Sequence, residues 1–107
     1  CAMERLLPWQ PDAVFCANDL MALGVCDVLA SHGLELPVGG VDLIPEALRA
    51  VADGRMTASV GPLGREIVRG VLEAVQSYFE TGRVPSGFIA KNHLVTRTSS
   101  LPEQQTS

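Results

Sequence analysis

Four short apolar runs, each bounded by turn-forming residues, alternate with longer segments of helical period, and that alternation limits the fold more than any single residue does. After the turn Pro8-Trp9-Gln10-Pro11-Asp12, the run Ala13-Val14-Phe15-Cys16-Ala17 has the composition of a strand buried on both faces. The next helix is predicted from Leu20 to His32, with Asp19 as N-cap and Gly33 just past its end. Val38-Gly39-Gly40-Val41 forms a second strand ending at Asp42. Pro45 opens a helix that runs to Ala52 and stops at Asp53-Gly54. Met56 to Val60 is a third strand, followed by Gly61-Pro62. From Arg65 to Thr81, Ile67, Val71, Val75 and Phe79 recur at every fourth position with Val68 and Leu72 beside them, an amphipathic helix closed by Gly82. Phe88 to Thr96 reads as the last strand. The predicted class is α/β, a parallel sheet with helices on both faces. Cys1 to Leu7 reads as a helix already under way, as expected of a piece of a longer protein.

The chain's 107 residues suit one domain, and a hydrophobic fraction of 47% with only 5% aromatics calls for an aliphatic core. Eight basic against twelve acidic residues give a net charge of −4, which argues against a basic phosphate-binding face and so against direct contact with nucleic acid. No stretch approaches the roughly 18 apolar residues of a membrane span. Cys1, Cys16 and Cys26 form neither a disulfide framework nor a zinc pattern, and Cys16 and Cys26 read as packing residues. An odd free thiol leans toward a reducing compartment. The helix after Asp19 is apolar nearly all round. Either it faces a partner chain or absent part of the protein, or it lays Met21, Val25, Val28 and Leu29 on the sheet and leaves Ala22 and Ala30 in solvent.

Ligands of open parallel sheets bind beyond the carboxyl ends of the strands. The first strand delivers Asn18 there, the second Asp42 and the third Gly61-Pro62. A carboxylate grips neighbouring hydroxyls through two acceptor oxygens, and a primary amide both donates and accepts, so the pair suits a neutral polyhydroxylated ligand. The same residue types cap helices. Asp19 is the better cap candidate, which would free Asn18. Catalysis has little support: there is no GxGxxG, P-loop or GxSxG sequence, His32 and His93 are isolated, and Glu66, Arg69 and Glu73 read as a solvated face. Trp9 precedes its strand, at the edge away from the proposed site. Nothing reads as an enzyme, and no metal or cofactor is implied.

The stretch Phe15-Cys16-Ala17-Asn18-Asp19-Leu20-Met21-Ala22-Leu23-Gly24 resembles the type I periplasmic binding proteins, the ribose-binding protein among them, and the related ligand-binding domain of the lactose-repressor family. The likeness continues through Gly40-Val41-Asp42, Pro45-Glu46-Ala47-Leu48, Asp53-Gly54-Arg55-Met56 and Ala58-Ser59-Val60, ending near Gly82-Arg83-Val84-Pro85 and Leu94-Val95-Thr96. It implies the C-terminal lobe of a two-lobed protein, residues 1–97, truncated on its N-terminal side and followed by a polar tail, residues 98–107. In that family an Asn and an Asp at the positions of Asn18 and Asp42 hydrogen-bond the sugar. One departure is Pro62, which stands where ribose-type binders often carry a Gln.

The resemblance implies a solute receptor of an ABC-type import system, outside the cytoplasm, whose partners are a sugar, the absent N-terminal lobe and a permease. The Pro45 to Val60 stretch, with its Ala-Leu-Arg-Ala-Val-x-Asp-Gly-Arg run, favours that reading. The ending Leu94 to Ser100, the unpaired cysteines and the apolar helix after Asp19, a candidate dimer face, favour a cytoplasmic effector-binding domain of a repressor-type regulator, and a membrane receptor's sensory domain is a third reading. Without a strand before Cys1 the sheet has an open apolar edge, so the fragment is expected to self-associate.

Overall fold

A computed structural model of the chain describes residues 1–99; positions 100–107, most of the predicted tail, lie outside the described residues. The elements in order are α1 (Ala2–Leu6), a 3-10 turn (Leu7–Trp9), β1 (Val14–Phe15), α2 (Asp19–Ser31), β2 (Val38–Val41), α3 (Pro45–Asp53), β3 (Ala58–Pro62), α4 (Gly64–Thr81) and β4 (Asn92–Thr96). The four strands form one sheet in sequence order, with β1, β2 and β3 parallel.

The expected class holds, and two of its details change. β4 runs antiparallel to β3, pairing Ala58 with Thr96 and Pro62 with Asn92, so the sheet is not wholly parallel. Helix cover, expected on both faces, lies on one face among the described residues. α2 and α3 touch each other over the face that carries Gly40, Ser59 and Val95. On the opposite face Phe15 and Leu94 stay 74% and 63% exposed.

The core is small and aliphatic, as the shortage of aromatics required. Ala22, Val38, Ala47, Ala50 and Val51 are buried with Met56, and Leu29, Leu63 and Val95 close around them. α2 presents Asp19, Ala22, Cys26 and Leu29 to the interior, a narrow stripe at three- and four-residue spacing. Of the face in the second reading, only Leu29 is among these buried residues. Ala22, which the second reading left in solvent, is fully buried, and Met21 is 55% exposed. Met21, Val25 and Val28 instead line an apolar groove of about 400 Å³ with Met3, Leu6 and the unpaired edge of β1.

α4 departs furthest from expectation. Its apolar stripe is present, but none of its residues is buried, and Val71, Val75 and Phe79 are exposed. The helix leaves the sheet at Leu63, and the segment after Gly82 returns along it, with the Phe88 ring lying where a side chain at Gly70 would stand.

Candidate ligand-binding site

Register brings the predicted site residues to one rim. Phe15 pairs with Gly39 and Gly39 with Ala58, and the chain leaves the carboxyl ends of the three parallel strands through Asn18 after β1, Asp42 after β2 and Gly61-Pro62 at the end of β3. Because β4 is antiparallel, its first residue, the exposed Asn92, joins the same rim opposite Pro62. The direction of β4 carries that carboxamide to the site, and alternation alone had no signal for it. A concavity of about 800 Å³ between the carboxyl ends of α2 and α3, lined by Asp27, Asp53 and Arg55, lies at the other end of the strands.

The capping role expected of Asp19 falls to Asn18. Asn18 is the N-cap of α2: its Oδ1 accepts from the Met21 amide at 2.9 Å. The cap uses one lone pair of the oxygen. Among the described residues nothing accepts from the amide nitrogen, so both of its N–H groups are unused.

Asp19 is fully buried in the first turn of α2. Its Oδ1 accepts from the Ser59 hydroxyl at 2.7 Å and its Oδ2 from the Ile44 amide at 2.9 Å. A buried carboxylate without such donors would be costly. The space it occupies comes from Gly40, where a Cβ would collide with Asp19 Oδ1 and stand 3.1 Å from Ala22 and Met56.

The loop after β2 carries an unusual backbone. Asp42 has φ of +120° and Leu43 of +62°, a region that side chains rarely adopt. Three successive amides are fixed there: Asp42 donates to Val60 O at 2.8 Å, Leu43 to Ser59 Oγ at 3.3 Å and Ile44 to Asp19 Oδ2 at 2.9 Å. The Asp42 side chain is exposed, and among the described residues no donor reaches its carboxylate.

The remaining candidates fall elsewhere. His93 is not isolated: its Nε2 lies 3.2 Å from Glu66 Oε1, and its side chain is only 11% exposed. The pair ties the first turn of α4 to β4 and takes Glu66 out of the solvated face. His32 caps the carboxyl end of α2 through Val28 O. Trp9 stands 82% exposed before β1, away from the rim. Burial pushes the Cys16 and Cys26 thiols above the usual range, and Cys26 donates to Arg55 O at 3.3 Å. Among the described residues no His, Cys, Asp and Glu side chains cluster as metal ligands, and no helix is long and apolar enough to cross a membrane.

No family model matches the chain. The Bacillus subtilis ribose import binding protein RbsB is 33% identical over 97 residues, which are 89% of this chain and 32% of that protein. The D-allose-binding periplasmic protein of Escherichia coli is 38% identical over 74 residues, covering 67% of this chain and 24% of its own length. A solute-binding protein of an ABC transporter from Actinobacillus succinogenes, with bound D-allose, superposes with a TM-score of 0.82 and 26% identity over 90% of this chain and 35% of that one. This chain belongs to the type I periplasmic binding proteins. Its homologues are periplasmic sugar-binding proteins of import systems. As a member of that superfamily it spans a third or less of the curated relatives just described. In this type I binding-protein lobe the rim combines an amide, a carboxylate and the imino-acid ring of Pro62, which has no side-chain hydrogen-bonding group.

Proposed function

We propose that the chain is the C-terminal lobe of a two-lobed, periplasmic solute-binding protein that closes on a small polyhydroxylated ligand and delivers it to an ABC-type permease. Asn18 and Asp42 are the contacts from this lobe. The observation that carries the reading is the rim itself. Two side chains with unused hydrogen-bonding capacity follow the carboxyl ends of neighbouring parallel strands, in a chain whose relatives are named for ribose and allose. A carboxylate with free lone pairs and an amide with free N–H groups match a ligand whose hydroxyls both donate and accept.

The exposed surfaces support the two-lobed reading. The apolar stripe of α4 and the bare sheet face at Phe15 and Leu94 are what a lobe leaves uncovered when its neighbours are absent. Closure then shifts an open–closed equilibrium toward the state in which both lobes touch the ligand.

The test is a thermal-shift panel on the full-length protein with D-ribose, D-allose, D-galactose and myo-inositol, followed by calorimetry on Asp42→Ala. The expected result is stabilisation by at least one sugar and a loss of affinity of tenfold or more in the variant. Unchanged calorimetric affinity in Asp42→Ala would remove the carboxylate from the site.

A further inference from the structure

We propose that Asp19 and Ser59 are positioning residues that hold the Asp42 carboxylate in its binding pose without touching the ligand; the inference rests on Asp42 being a ligand contact. Asp42 reaches the rim through a backbone that its own side chain disfavours. Two successive non-glycine residues at positive φ need outside support, since such a conformation persists only where its surroundings over-determine it.

The support comes from three acceptors on two elements. Val60 O holds the Asp42 amide, Ser59 Oγ the Leu43 amide and Asp19 Oδ2 the Ile44 amide. The last two are one unit, because Ser59 donates its only hydroxyl proton to Asp19 Oδ1 and its oxygen is thereby aimed at Leu43. Asp19 and Ser59 are 0% and 1% exposed, so water cannot substitute for either. Asp19 also joins the amino ends of two helices, as first residue of α2 and as acceptor for Ile44, the N-cap residue of α3. A buried carboxyl group with both oxygens bonded to fixed donors defines one geometry, which suits a residue whose purpose is to orient another.

A double-mutant cycle tests this. Ser59→Ala and Asp42→Asn are made singly and together in the full-length protein, and D-ribose, D-allose and myo-inositol are titrated into each by calorimetry. Amide hydrogen exchange of Leu43 and Ile44 is followed without ligand. If Ser59 acts through Asp42, Ser59→Ala weakens binding about tenfold in the wild-type background and less than twofold in Asp42→Asn. The Leu43 amide then exchanges faster in Ser59→Ala while Val38 keeps its protection. Asp19→Asn, which keeps the oxygen facing Ile44, retains more affinity than Asp19→Ala.

Losses that multiply in the double variant, or unchanged Leu43 exchange, overturn the positioning role and leave the rim reading standing. Asp42→Asn with wild-type affinity overturns the rim reading and the positioning role together.

Discussion

Gly61 lies so close to the main chain of Asp42 that a Cβ on it would stand 3.0 Å from the Asp42 Cα and 3.1 Å from its N and carbonyl carbon. The atoms it would meet are backbone, held in turn by the bond from the Asp42 amide to Val60 O, so they cannot swing aside as a side chain would. Gly61→Val is therefore expected to destabilise the lobe by about 1–3 kcal/mol in denaturant unfolding. It is also expected to weaken sugar binding through displacement of Asp42. A variant with full stability and full affinity would show that the loop after β2 has room to move.

Asp42→Gly separates fold from function. Glycine accepts a φ of +120° without steric cost, and the lost carboxylate has no donor among the described residues. Unfolding free energy should stay level or rise by up to about 1 kcal/mol, while sugar affinity falls tenfold or more. Parallel losses of both would mean that the carboxylate contributes to the fold.

How legible all this was depends on whether the signal is local. The β-α alternation, the strand Val38–Val41 and the helix starting at Pro45 could be read because period and turn chemistry are properties of a short window. The direction of β4 could not, since an apolar run reads the same in either sense and the return after Gly82 carries no helix of its own. Asn18 and Asp19 are interchangeable as caps by residue type. What decides between them is burial against Ser59, 40 residues on, and the gap left by Gly40. A glycine inside the strand Val38–Val41 was a readable sign of close approach from above the sheet. It went unused. The stripe on α4 was legible as amphipathic, but its exposure was not, since periodicity marks a face and does not say what covers it.

Thiol reactivity should sort the cysteines by burial. Cys1 is exposed, whereas Cys16 and Cys26 are buried with their thiols pushed above the usual value by desolvation. At pH 7.5 a maleimide reagent is expected to label Cys1 rapidly and the other two only on unfolding. The raised values also fix a pH dependence. The folded state favours the protonated thiols, so their contribution is intact below the unfolded value of about 8.5 and is lost as pH climbs from there through the folded values. Loss of the Cys26 proton also removes its bond to Arg55 O. Stability measured between pH 8 and 10 should fall more steeply in wild type than in Cys26→Ala. Matching slopes would exclude Cys26 as the cause.

Association of the isolated chain should depend on α4. Val71, Leu72, Val75 and Phe79 are between 46% and 80% exposed along one helix, and no residue of that helix is buried, so replacing them removes no core contact. Val71→Lys with Phe79→Lys is expected to leave the folded lobe as stable as before. It should reduce self-association of this 107-residue chain, as read by light scattering across a concentration series. In the full-length protein the same pair of substitutions should cost several kcal/mol, because there the stripe is expected to be buried against the other lobe and two lysines would be desolvated without partners. The contrast between the two contexts is the informative quantity. Equal effects in both would mean that α4 faces solvent in the full-length protein as well, and that the apolar stripe is not an interlobe surface.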